Sequence, residues 1–185
     1  PRWTELVESI SAAGVKVPIG LLAIPGDVTK EKEMLELAQK AKARFGRIDL
    51  WINNAGIWMP QASVRKLDLK RVRDMLEVNL FGVINGARAA LSQMEAQGGG
   101  TIMNILSASA FQGVAKSSGY VASKYAARGF CKSLRQEIGD SGIRVINVYP
   151  AGMKTAVFSG QPPAGYDKYM DPMEVAHRIA MNLEE

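Results

Sequence analysis

Apolar residues along this chain recur at two spacings, one helical and one strand-like, and the two alternate from end to end. From Arg2 to Ala13 the apolar positions Trp3, Leu6, Val7 and Ile10 mark an amphipathic helix that Gly14 ends. Val17 to Ile24 is a short apolar run fit for a buried strand. Thr29 is then placed to N-cap a second helix, whose apolar stripe is Met34, Leu35, Leu37, Ala38, Ala41 and Phe45 and which Gly46 closes. Ile48 to Ile52 reads as another buried strand, followed at once by Asn53-Asn54-Ala55-Gly56. Asp68 to Gln97 predicts a long helix that changes character around Asn79 and Gly82 and stops at Gly98-Gly99-Gly100. Thr101 to Leu106 is a third strand, running into Ser107-Ala108-Ser109. Val114 to Ile138 carries apolar residues at helical spacing with no proline, so it predicts a helix. Ile143 to Tyr149 is a fourth strand stopped by Pro150. A loop bearing proline and glycine leads to about Asp171, and a last helix runs from Pro172 onward.

Strands alternating with helices predict an α/β fold, a three-layer αβα Rossmann-like arrangement in which helices cover both faces of a parallel sheet. No repeat or linker divides the chain, so residues 1–185 are expected to form a single domain. In such sheets the working groups collect at the carboxyl ends of the strands. Here those ends carry Asp27, the Asn53–Gly56 run, Ser107 and Pro150-Ala151-Gly152.

Composition narrows the function. Hydrophobic residues make up 47% and charged residues 22% of the 185 positions, as in ordinary globular proteins. No apolar run is long enough for a membrane span and no charged-then-apolar leader opens the chain, so a cytoplasmic protein is expected. The net charge of +5 raises the question of nucleic acid. The densest basic cluster, however, is interleaved with Asp68, Asp74 and Glu77, as on a solvated helix face, and no nucleic-acid motif accompanies it. One histidine and one cysteine argue against a His/Cys metal site. Cys131 reads as a buried structural thiol and His177 as a surface or cap residue.

One pair stands out chemically. Tyr120 and Lys124 are one helical turn apart and share a face. An ammonium beside a phenol favours phenolate, so the tyrosine's pKa is expected to fall from its ordinary value towards neutrality, where it trades protons with a substrate. Taken alone, the pair also suits a plain surface tyrosine beside a surface lysine.

With these residues in order, the chain resembles the short-chain dehydrogenase/reductase family, whose Rossmann-fold members use NAD(H) or NADP(H). Gly26-Asp27-Val28-Thr29 is similar to the turn where the family's aspartate meets the adenine end of the cofactor. Phe45-Gly46-Arg47-Ile48-Asp49 and Asn53-Asn54-Ala55-Gly56 resemble its central strand and following loop, and Asn79 resembles its helix asparagine. Ser107 precedes Tyr120 by the family's spacing between serine and tyrosine. The resemblance implies an oxidoreductase that transfers a hydride between nicotinamide and a carbonyl or secondary alcohol, with Asn79, Ser107, Tyr120 and Lys124 as the catalytic set. Tyr120 would be the general acid and base, Ser107 would orient the substrate oxygen, and Lys124 would hold the nicotinamide ribose. Asn79 would anchor a water joining Lys124 to solvent. The implied cofactor-binding residues are Asp27, Val28, Asn53, Ala55, Gly56, Tyr120, Lys124, Pro150, Met153 and Thr155, with no metal.

The family's glycine-rich turn has no counterpart in the chain, which resembles the middle and later part of a longer protein, without an N-terminal βαβ segment and a last strand. Ala151 stands where the family usually has glycine. Phe158, Tyr166, Tyr169 and Met170 are placed to give the substrate loop an apolar lining, while Trp58 and Met59 suit either that pocket or plain packing. The expected substrate is a small hydrophobic ketone or secondary alcohol. Apolar residues on several faces of the helices around Asn79 and Tyr120 suggest a homodimer or homotetramer. The competing reading is a catalytically inactive, cofactor-sensing or regulatory relative.

Overall fold

The computed structural model describes residues 20, 22–158 and 160–183; the helix expected over residues 2–13 lies outside them. The first helix described, α1 (Glu31–Phe45), has acidic Glu31 and Glu33 in its first turn and basic Lys42 and Arg44 in its last, matching the helix dipole. Gly46, at φ 86°, closes it by donating its N–H to the Lys42 carbonyl. Thr29 does not cap this helix. Its N–H and hydroxyl both bond to the Asp27 carboxylate, at 2.9 and 2.8 Å, and Lys30 takes the cap position with no side-chain bond. The local aspartate turn has outcompeted the cap.

Three parallel strands form a sheet in the order β1 (Leu50–Asn53), β2 (Gly100–Ile105), β3 (Ile143–Val148). The expected strand over residues 17–24 is not met in its described part, for Leu22 to Ile24 lie outside any strand. A strand needs a backbone neighbour, and β1 pairs with β2 alone among the described residues.

The long helical stretch is broken as the sequence implied. Asp68 caps α2 (Leu69–Leu76) through bonds from the Lys70 and Arg71 N–H groups. A π-helical turn, Glu77–Phe81, follows and places Asn79 in its middle, and α3 (Gly82–Gln97) continues to the left-handed Gly98. The helix carrying Tyr120, α4, spans Ser118–Ile138 and so starts four residues later than expected. Lys116 sits at φ 62°, a left-handed conformation that cannot continue a right-handed helix. The last helix, α5 (Pro172–Met181), begins on an Asp171 cap with proline in its first turn.

The strand register places Trp51, Asn53, Ile102, Asn104, Val145 and Asn147 on one face of the sheet. That face meets α3, whose Ala87, Ala89 and Ala90 let α1 and the sheet approach closely around Met34, Ala38, Met94 and Ile102. On the opposite face, Val175 and Ile179 of α5 line a cavity of about 370 Å³ with Met103, Ile146 and Val148. The parallel sheet is thus flanked by helices on both faces, as the alternating pattern predicted. One feature of the core is polar. Trp51 Nε1 donates to Asn53 Oδ1 (2.8 Å), Asn53 Nδ2 to Asn104 Oδ1 (2.9 Å), and Asn104 Nδ2 to Asn147 Oδ1 (2.9 Å), so an amide ladder crosses all three strands.

Candidate active site

The ladder fixes the carboxyl ends of the strands, and from those ends the site is built. β2 runs into Ser107, whose hydroxyl oxygen accepts the Ser109 N–H at 3.1 Å, leaving its own proton free to point elsewhere. The Ala108 N–H donates to the Pro150 carbonyl at 2.9 Å, which ties this turn to the end of β3. The first turn of α4 then presents Tyr120 across the same cleft. Ser107, Tyr120, Pro150, Met153 and Thr155 line one cavity of about 220 Å³. A second concavity holds Val28, Asn53 and Ala55 beside Gly82.

Lys124 lies one turn beyond Tyr120, only 6% exposed, with its Nζ 5.7 Å from the centroid of the Tyr120 ring. Burial alone pushes its ammonium down to about 8. It joins no ion pair among the described residues. Gly56 leaves room above it: a Cβ there would lie 3.4 Å from Asn79 Oδ1 and 3.6 Å from Lys124 Nζ.

Asn79 stitches three segments together. Its Oδ1 accepts the Ile57 N–H at 2.8 Å, and its Nδ2 donates to the Ile57 carbonyl and to Ser123 Oγ, both at 3.0 Å. The Ser123 hydroxyl in turn donates to the Tyr120 carbonyl at 2.7 Å. Ser123 was not among the residues singled out from the sequence, although a fully buried serine on an apolar helix face is a signal of an internal partner.

The expected drop in the Tyr120 pKa is not met. Burial raises it, the neighbouring Tyr169 raises it further, and a hydrogen bond from Ser107 offsets part of the rise. The phenol is too deeply buried for an ammonium lying over its ring to dominate. Asp27 behaves differently: exposed, it is held below the usual carboxylate range by the backbone and hydroxyl of Thr29. The side chain of Asn53 is committed to the amide ladder rather than to the cleft, donating to Asn104 and accepting from Trp51. Gly152, beside Ala151, has a different reason to be glycine, since a Cβ there would lie 2.6 Å from the Tyr169 ring.

The family model described as short chain dehydrogenase matches residues 2–164. The chain belongs to that family. It is 35% identical over 159 residues to an uncharacterised oxidoreductase of Staphylococcus saprophyticus, a match covering 86% of this chain and 67% of that protein. Among solved structures it resembles an alcohol dehydrogenase of the archaeon Thermococcus sibiricus in complex with 5-hydroxy-NADP. There the TM-score is 0.82 at 26% identity, covering 97% of this chain and 73% of that one. It also resembles ElxO, solved as a tyrosine-to-phenylalanine variant with NADPH bound, at a TM-score of 0.84 and 25% identity over 98% of this chain and 78% of that one. As a short-chain dehydrogenase, the protein has the parallel sheet and the strand-end cleft where its sequence placed them. Among the described residues, no helix is long and apolar enough to cross a membrane and no cluster of His, Cys, Asp and Glu suits a metal.

Proposed function

We propose that this chain is the catalytic part of an NAD(P)-dependent oxidoreductase that interconverts a carbonyl and a secondary alcohol, with Tyr120 as general acid and base. One observation carries the reading: Ser107 and Tyr120 meet in one cleft, and the buried ammonium of Lys124, unpaired among the described residues, lies 5.7 Å from the Tyr120 ring centroid. A buried ammonium without a carboxylate calls for neutral oxygen acceptors, and a ribose diol supplies them. A side chain at Gly56 would stand against Nζ, with its Cβ 3.6 Å away, so glycine keeps the approach to the ammonium clear. The residues therefore fit the cofactor. Lys124, Gly56, Ala55, Thr155, Met153 and Pro150 would hold its nicotinamide half, with Asn53 contributing its backbone. Val28 and Asp27 would meet its adenine half.

When bound, NAD(P) supplies or takes up the hydride. The work of the chain itself is proton transfer and positioning. In the reduction direction, Tyr120 Oη gives its proton to the carbonyl oxygen as negative charge gathers there. Ser107 Oγ, already accepting from the Ser109 N–H, directs its hydroxyl proton to the same oxygen and stabilises the charge. The Lys124 cation favours the phenolate left behind. Asn79 locks the Ile57 loop, the π-turn and α4 into one piece and anchors the water that joins Lys124 to solvent. We further read the protein as a single domain that assembles as a homodimer or homotetramer in the cytoplasm.

Tyr120→Phe tests the assignment. It should lower turnover of a ketone by about 10²- to 10⁴-fold, the usual contribution of a positioned acid, while NADPH affinity measured by fluorescence titration stays largely unchanged. Undiminished turnover in the variant would remove Tyr120 from the mechanism.

A further inference from the structure

We infer that the cleft is built for an uncharged, single-ring ketone that carries a second neutral hydrogen-bonding group, such as a hydroxyl, remote from the reacting carbonyl. The inference rests on the carbonyl-reducing role proposed above and adds the substrate class. Three features of the cavity carry it.

The first is the lining: among the described residues, no side chain that lines the cavity is charged, although the chain as a whole is cationic. A carboxylate or phosphate seated there would lose its hydration and gain no ion pair. The second is an aromatic cluster, three of whose rings, Trp58, Phe158 and Tyr169, line the cavity. Phe158 meets Trp58 edge-on at 5.1 Å between ring centroids, and Tyr166 and Tyr169 pack against Phe158 at 5.5 and 5.8 Å. Trp58 comes from the segment after β1, and the other three rings come from the segment between β3 and α5. That segment is pinned at its base, where the Met170 N–H donates to the Gly152 carbonyl and the Lys154 N–H to the Met170 carbonyl, both at 2.9 Å. Flat aromatic walls select a flat, apolar ring. The volume, about 220 Å³, is half as large again as the roughly 150 Å³ apolar cavity that accommodates benzene. It seats one ring with short substituents.

The third feature is a polar pair at the exposed rim of the same cavity. Gln61 Nε2 donates to Ser117 Oγ at 3.3 Å. That leaves the Gln61 carbonyl oxygen as a free acceptor and the Ser117 hydroxyl proton as a free donor among the described side chains. Ser117 lies one turn before Tyr120, at i−3, so the pair sits on the same cleft wall as the general acid. A ring bearing a hydroxyl bonds both groups at once, in place of the water that reaches this exposed pair.

Calorimetric titration of the full chain, with and without NADPH, tests this using para-hydroxyacetophenone, acetophenone and para-acetylbenzoate. The hydroxy ketone should bind at least tenfold more tightly than the carboxylate. Gln61→Leu, a change at an exposed position, should bring the hydroxy ketone down to the affinity of acetophenone and leave acetophenone unaffected. Equal or tighter binding of para-acetylbenzoate would overturn the inference, as would failure of either neutral ketone to bind. Neutral ketones that bind without being reduced would count against the oxidoreductase reading and leave the substrate class standing. Reduction of para-acetylbenzoate as fast as the hydroxy ketone would do the reverse.

Discussion

Lys124 is a residue at which stability and the proposed function pull apart. Its ammonium titrates at about 8 in the fold against an ordinary 10.5, with burial as the cause. Between those two values the unfolded chain binds the proton that the folded chain has released, so stability rises as pH climbs from 8 to 10.5. The full cost is present below 8. At neutral pH that cost is about 3 kcal/mol. Lys124→Met should therefore raise the unfolding free energy by up to about 3 kcal/mol near neutrality, with the gain shrinking towards zero by about pH 10, while turnover collapses. Urea unfolding of both proteins at the two pH values measures it, and a gain independent of pH would rule the account out. The sequence disclosed the neighbourhood of Tyr120 and Lys124, because i,i+4 spacing on a helix fixes it. It did not disclose the direction in which the Tyr120 pKa moves. That depends on burial and on Tyr169, which is distant in sequence and arrives through the loop after β3.

Among the elements, the contact of α3 with β1 shows both what a pattern reveals and what it hides. The break in the long helix was legible, because Asn79 and Gly82 interrupt its character and a π-turn stands there. The amide ladder was not. Asn53, Asn104 and Asn147 lie on three separate strands, and only the register brings Asn53 opposite Asn104 and Asn104 opposite Asn147. Gly86 of α3 is pressed onto this ladder, for a Cβ there would come within 2.0 Å of Asn53 Oδ1 and 3.0 Å of Trp51 Nε1. The glycine is thus dictated by close approach of helix to strand. Gly86→Ala should push α3 off the sheet or rotate the Asn53 amide out of the ladder, at a cost of about 1–3 kcal/mol typical of overpacking. Alanine's better helix propensity recovers only about 1 kcal/mol of that. A urea midpoint unchanged or raised in the variant would mean that the ladder yields freely and contributes little.

For the whole molecule, the alternation of strands and helices was enough to predict a parallel sheet flanked by helices, because each element's periodicity is a local property. Partners were less legible, since they depend on which faces remain uncovered once the chain has folded. The outward face of α4 now supplies that information. Ala122, Tyr125 and Gly129 follow one another at helical spacing and all three are exposed, Tyr125 by 40%. A Cβ added at Gly129 would meet nothing within 4 Å. Val114 and Val121 border a shallow depression beside Tyr125 on the same face. A stripe of small residues flanking one flat aromatic suits the close approach of a second helix, and a two-fold axis would set each α4 against its copy. Because the same helix carries Tyr120 and Lys124 on its inner face, pairing at its outer face would brace both active sites. On that argument the protein should sediment as a dimer or larger, and Tyr125→Lys should place like charges across the axis and return it to the monomer. A wild-type protein that sediments as a monomer at all concentrations would exclude the pairing, leaving the exposed stripe on α4 as ordinary solvent-facing surface.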